Sequence, residues 1–229
     1  MKKKIKILRI ISSLNPKYGG PAKAIIDSSI LLSNQGFQVD ILTSDIEHSF
    51  FFRSKKINII NKGPALGSYN FNLKLFFWLL KNKNNYDQFI IHGIWDFNVL
   101  IARVLLKKNF YVFTHGQLDP FFRFQKIKKI KKQIYWNLIG RKNLLFSKSL
   151  LLTSENEKKS LNKTYVVTKD LKKTVISYGI NKPRFNKHKC VKIFFILIMY
   201  KKIIITGGAG FIGVNATRFF LKKNFTITI

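Results

Sequence analysis

Twice in this chain a short apolar run stops at a His-Gly pair. Asp87 to Ile91 runs into His92-Gly93, and Phe110 to Phe113 runs into Thr114-His115-Gly116-Gln117. Apolar, β-branched and aromatic residues in runs of this length read as buried strands. An open parallel sheet binds its ligands in the loops beyond the carboxyl ends of its strands. Strand ends on adjacent parallel strands share one rim, so two His-Gly loops there make a shared polar rim. His115 is the group in its loop with an ordinary pKa near neutrality, and Gly116 allows close backbone approach to a ligand. The plainer alternative is a pair of polar turns with no ligand.

The flanking sequence supplies the rest of such a sheet. Lys4 to Ile11 predicts a first strand, Pro21 to about Asn34 a helix, and Phe37 to Thr43 a second strand, with Gly36 at the position just past the helix. Strand, glycine-containing loop, helix and strand open a doubly wound fold. Gly19-Gly20 precede the helix, where backbone N–H groups and the helix dipole suit an anion or a sugar oxygen. A ligand-free turn explains the same pair. Further on, Lys56 to Ile60 reads as a short strand and Asn72 to Leu80 as a helix whose aromatic stripe belongs to the core. Asp96 caps a helix running to Lys107. Ser149 to Thr153 is a strand, Ser154 to Glu157 matches a capping box, and Thr174 to Tyr178 is the next strand. The fold class is therefore α/β, a Rossmann-like parallel sheet flanked by helices.

The charge is extreme: 42 Lys plus Arg against 10 Asp plus Glu give +32. That suits a polyanion partner. The lysines are spread along the chain, and no zinc-finger, RNP or basic-zipper pattern appears, which argues against nucleic acid. Arg123 to Ile139, RFQKIKKIKKQIYWNLI, has apolar residues at helical intervals between lysines. It suits either the surface of an anionic bilayer or an ordinary helix packed on the sheet. Cys190 is the single cysteine, which excludes an intramolecular disulfide and a cysteine-cluster zinc site. The start, MKKKIKILRII, reads as a strand rather than a secretion signal, because Lys6 and Arg9 interrupt its apolar run. The longest uncharged apolar run, Ile193 to Tyr200, is far short of the roughly 20 residues of a spanning helix. The expected location is the cytoplasm, with the inner face of the membrane as a peripheral site.

RIISSLNPKYGGPAKAI, IIHGIW, YVFTHGQLDPF, LLLTSENEKKS and TVISYGI occur in consistent order over about residues 4 to 180. Together they resemble the N-terminal half of a family 4 type glycosyltransferase of the two-domain GT-B architecture. The resemblance implies an acceptor-holding domain of a retaining enzyme that moves a sugar from a nucleotide-sugar to a glycan or lipid acceptor, without a metal or other cofactor. It implies that Gly19 and Gly20 face donor phosphates or acceptor, and that His92, Gly93 and Gly116 border the substrate. It gives His115 the catalytic role, beside the transferred sugar. The strand near 177 ends in Ser-Tyr-Gly where the family has Pro-Asn-Gly, and the paired glutamates of the family's donor domain have no counterpart here. The expected consequence is a transferase-derived domain that is incomplete and inactive alone.

The last stretch differs in kind. Residues 181–198 read as a basic and apolar junction. Residues 199–229 contain IIITGGAGFIG, a strand followed by Gly207-Gly-Ala-Gly210-Phe211-Ile212-Gly213 and a helix. Glycines at 207, 210 and 213 provide the tight turn, the pyrophosphate approach and the helix packing of a dinucleotide site. This resembles the first βαβ unit of NAD-dependent epimerases and dehydratases, which implies NAD(P) at those residues, in a site lacking its ribose-binding acid and its Tyr-x-x-x-Lys. The expected organisation is 1–180 acceptor domain, 181–198 junction and 199–229 partial NAD(P)-binding unit, a hybrid of two truncated reading frames. An NAD(P)-binding protein and a basic membrane-surface binder are the competing readings.

Overall fold

A computed structural model describes residues 4–49, 51–118, 126–164, 171–176, 202–204 and 226–228. The chain divides into two compact units, Met1–Gly179 and Ile180–Ile229.

The first unit is built on seven strands: β1 (Lys6–Ile11), β2 (Gln38–Thr43), β3 (Asn58–Asn61), β4 (Gln88–His92), β5 (Tyr111–Phe113), β6 (Ser149–Leu152) and β7 (Lys173–Val175). They lie in the order β3-β2-β1-β4-β5-β6-β7, and every pairing is parallel. Parallel strands need crossovers, so both sheet faces are covered by helices. These are α1 (Gly20–Asn34), α2 (Leu73–Asn82), α3 (Phe97–Leu106), α4 (Lys126–Tyr135), α5 (Arg141–Leu145) and α6 (Glu155–Thr164). The expected Rossmann-like parallel sheet is the observed fold.

Alternation along the strands sorts the core into two layers. Ile7, Ile11, Val39 and Ile41 pack with Ala22, Ile25 and Ile26 of α1 on one face. Leu8, Ile10, Leu42 and Ile91 pack with Leu75 and Leu79 of α2 and Val99 and Ala102 of α3 on the other. Burying a leucine or isoleucine stabilises by roughly 1.5–3 kcal/mol each. Arg9 falls at the centre of β1, is 3% exposed, and so cannot remain unbonded.

Local signals behave as their chemistry requires. Asn72 caps α2 by accepting from Leu75 N at 2.9 Å, and Asp96 caps α3 by accepting from Asn98 N at 3.2 Å. The basic segment differs from a single helix over 123–139. Its described part is α4, then a π-helical turn at Trp136–Gly140, then α5. The turn places Gly140 against Tyr135, where a Cβ would lie 3.0 Å from the ring.

The order of strands reverses at β1, with β2 on one side and β4 on the other. Such a switch point opens a crevice at the carboxyl ends. In the second unit β8 (Lys202–Ile204) and β9 (Thr226–Thr228) pair in parallel. Gly207, Gly210, Phe211, Ile212 and Gly213 lie outside the described residues, as do 177–201, which include the Ser-Tyr-Gly departure and the junction.

Candidate functional site

The crevice at the switch point is a cavity of about 730 Å³. It is lined from four strand ends: Ser12 and Ser13 after β1, Asp45 after β2, His92 and Gly93 at β4, and His115 after β5. Trp95, Asp96 and Gln117 close it from the same loops, and Tyr18 and Pro21 stand at the start of α1.

The two His-Gly loops meet. His92 Nδ1 and His115 Nε2 are 2.9 Å apart, and Phe113 stacks on both rings. Beneath them, Arg9 donates its Nε–H to His92 Nε2 at 3.1 Å. Arg9 also donates from Nη1 to Ile25 O, Ser28 Oγ and Ser29 Oγ of α1, at 3.2, 2.7 and 2.9 Å. A guanidinium only donates. His92 Nε2 must therefore accept, its proton sits on Nδ1 and goes to His115 Nε2, and the neutral His115 carries its own proton on Nδ1.

Both rings are held neutral. Burial, then the Arg9 cation, then His115 push His92 well below the usual histidine value. Burial and Arg9 lower His115 to about 3. This corrects the expectation that His115 titrates near neutrality: burial disfavours its charged form, and a cation sits behind its partner.

His115 adopts φ 51°, a left-handed conformation uncommon outside glycine. Glu157 holds the loop in that shape. Its carboxylate accepts from Gly116 N at 3.0 Å and from Thr114 Oγ1, and its second oxygen accepts from Thr153 N at 2.7 Å and Thr153 Oγ1 at 2.8 Å. The capping box forms only in half: Ser154 Oγ accepts from Glu157 N at 3.1 Å, but the Glu157 side chain turns toward the site loop. Gly116, expected to border the substrate, has its backbone N–H bonded to Glu157.

Gly93 does border the cavity, at φ 97°, and a Cβ there would lie 3.5 Å from Asp96 Oδ2. Gly19 and Gly20 lead into α1 between the cavity-lining Tyr18 and Pro21, and open space surrounds both. Asp96, expected only as a cap, is a site residue as well. Its Oδ2 accepts from Ser12 Oγ, which in turn accepts from Asn98 Nδ2 at 3.1 Å. Burial raises Asp96 to about 6, against the lowering effect of the Ser12 hydroxyl. Asp45 ties the β1 and β2 loops together, accepting from Ser13 Oγ at 2.5 Å and Leu14 N at 2.8 Å. The β4 and β5 loops are joined by Ile94 N donating to Gln117 Oε1 at 2.9 Å. Arg9 and Glu157 escape a sequence reading because one looks like an interruption of a strand and the other like a cap. Among the described residues no cluster of three His, Cys, Asp or Glu is placed to hold a metal ion.

No protein-family model matches the sequence, and no curated protein matches it. Solved structures do. Sucrose-phosphate synthase from Thermosynechococcus elongatus superposes with a TM-score of 0.60 at 16% identity, over 78% of this chain and 49% of that one. WaaG, a glycosyltransferase involved in lipopolysaccharide biosynthesis, superposes with a TM-score of 0.50 at 11% identity, over 86% and 53%. At these identities the likeness is one of fold. The chain spans about half the length of the structures it matches.

Proposed function

We propose that the first unit is the acceptor-side domain of a sugar-transferring enzyme of the GT-B type. The observation that carries this reading is the hydrogen-bonded His92–His115 pair, set on adjacent strand ends and facing a cavity at the switch point. The fold likeness to two glycosyl-transferring enzymes supports it. In this reading a nucleotide-sugar donates to a glycan or lipid acceptor with retention and without a metal. The neutral His115 directs its Nδ1–H toward an oxygen of the transferred sugar, and the Gly19-Gly20 turn meets donor phosphate or acceptor. These residues supply one wall of a cleft. The other wall, which grips the nucleotide-sugar, belongs to a second domain in such enzymes, so the isolated 229 residues bind sugars without turning them over.

The test is a transfer and hydrolysis assay with a panel of UDP-, GDP- and TDP-sugars, alongside binding of simple glycosides to the wild-type chain and to His115→Ala. Binding without turnover, weakened in the variant, is the expected result. Robust turnover would remove the need for a second domain. Absence of any sugar binding would remove the reading itself.

A surface observation favours a membrane-facing role for the same domain, at the cytoplasmic side. Ile130, Ile134 and Leu138 recur every four residues along α4 and its π-helical turn, and they are 65%, 55% and 65% exposed. They sit in a lysine-rich segment, the pattern of a helix lying in an anionic interface. Among the described residues no helix is long and apolar enough to cross a membrane. Flotation with phosphatidylglycerol vesicles tests this: binding should weaken as salt screens the charge and should drop with Ile134→Asp. For the second unit, the parallel β8–β9 pair is compatible with an NAD(P) site at the glycines of the sequence motif, Gly207, Gly210 and Gly213. Calorimetric titration with NAD⁺ tests that separately.

A further inference from the structure

The cavity changes character from end to end. The strand order β3-β2-β1-β4-β5 sets its lining out along one rim. Over β4 and β5 stand His92, Asp96, His115 and Gln117, whereas Ile46, Phe51, Pro64 and Ala65 stand over β2 and β3. Neighbouring strands are about 4.8 Å apart, so the β5 and β2 ends of the rim are separated by about 14 Å. One pyranose ring covers only part of that span.

Ile46 and Phe51 are 62% and 39% exposed, although their loop is tied down. Asp45 O accepts from Gly63 N at 2.8 Å, Ser49 O accepts from Asn61 Nδ2 at 2.7 Å, and Glu47 pairs with Lys62 at 3.1 Å. Gly63 lets the β2 and β3 loops touch, since a Cβ there would collide with Ser44 O. Phe52 packs on the core against α1, so it anchors the segment while Phe51 lines the cavity.

The apolar surface continues past the cavity edge. Leu66 lies between the lining residues Ala65 and Gly67 and forms a bridge with Phe71. Leu66 N donates to Phe71 O at 2.8 Å, and Phe71 N donates to Leu66 O at 3.0 Å. Both side chains are exposed, as are Leu73 and Phe77 of α2 beyond them. Single apolar side chains on a surface need no explanation, but a run that begins inside a site does. Covering it with hydrocarbon is favourable. A second sugar ring suits it less, because hydroxyls laid on Ile46, Pro64 and Leu66 would lose their water without replacement.

We infer that the acceptor is a lipid glycoside: its sugar ring lies at the histidine end of the cavity, and its flexible hydrocarbon chain runs over Ile46, Phe51 and Pro64 toward Leu66. The inference rests on the sugar-site reading above and chooses within it, a lipid-borne sugar over a free glycan. Ile46 and Phe51 are then specificity-determining residues that select the aglycone.

The test reads the His92 and His115 rings by long-range ¹H–¹⁵N NMR, a signal that alkyl chains adhering elsewhere on the surface do not move. The full chain is titrated with methyl, octyl and phenyl β-glucoside, methyl β-maltoside, and methyl and octyl α-mannoside, each below its micelle-forming concentration. Wild type is compared with Phe51→Ser and Ile46→Ser. Both positions are exposed, so the core stays intact, and circular dichroism checks folding. In at least one sugar series the octyl glycoside should bind at least about tenfold more tightly than the methyl glycoside, the gain from covering about two methylenes. It should also bind more tightly than phenyl glucoside and methyl maltoside. In each variant the octyl-over-methyl ratio should fall by at least about threefold. An octyl glycoside no tighter than the methyl one, phenyl glucoside or maltoside as tight as the octyl glycoside, or a ratio unchanged in both variants would overturn the inference and leave the sugar site standing. No response of the rings to any of these glycosides would overturn both.

Discussion

Arg9 and His92 are joined by a buried hydrogen bond of 3.1 Å, and that bond decides how the site presents His115. The guanidinium fixes one proton on His92, His92 passes a hydrogen bond to His115, and His115 is left as a donor at Nδ1.

Replacing Arg9 with methionine should undo this. Long-range ¹H–¹⁵N spectra should show both rings as Nδ1–H tautomers in the wild type and as mixtures in Arg9→Met. The pKa of His115 should rise in the variant, because the Arg9 cation is one of the two causes that lower it. Ser29 and His92 lose a buried partner, so thermal stability should fall by roughly 1–3 kcal/mol.

Stability should depend on pH through His115 with a definite sign. Its folded-state pKa is depressed to about 3 from 6.5, so the unfolded chain binds more protons between those values. Stability is therefore complete above pH 6.5 and is lost as pH falls, by up to about 1.4 kcal/mol per pH unit. His115→Asn tolerates the left-handed backbone. Its denaturation midpoint should fall less than that of the wild type between pH 6.5 and 4.5.

Asp96 contributes with the opposite sign. Its folded pKa is raised from 3.8 to about 6, so the folded chain holds the proton more tightly. Its contribution is most favourable below pH 4 and is lost as pH rises to 6. Asp96→Asn removes the burial cost of the ionised form while keeping the cap. At pH 7.5 it should be more stable than wild type by on the order of 2 kcal/mol, measurable as a higher urea midpoint.

Glu157→Gln should loosen the site loop without touching the sheet. Four donors converge on the Glu157 carboxylate, and an amide offers one accepting oxygen. Amide hydrogen exchange at Gly116 and Thr153 should accelerate by at least about tenfold, for a loss of roughly 1.5–3 kcal/mol. Exchange in β1 and β4 should stay as in wild type.

Much of this site could be read without coordinates. His92 and His115 each end an apolar run, and a parallel sheet leaves adjacent strand ends nowhere to go but the same rim. Asp96 was legible only as a cap, because a cap is a local pattern of a few residues, whereas its bond to Ser12 spans 84 positions. Glu157 was legible only as part of a cap for the same reason: its partner Gly116 is 41 residues away. Arg9 was opaque because Lys6 precedes it in the same strand, and nothing local distinguishes the half-buried cation from the fully buried one. Neutrality of the histidines was illegible too, since it depends on burial and on that arginine.

The central place of β1 has a consequence for how the polypeptide is made. Its first neighbour, β2, emerges soon after it, but its other neighbour begins at Gln88. At about 5–20 residues per second, the ribosome takes roughly 4–15 seconds to deliver that stretch. Until then Leu8 and Ile10 belong to a sheet with a raw edge, where a second nascent chain could pair. Newborn chains should therefore aggregate most readily when translation stalls between residues 44 and 88, and far less once β4 has been released.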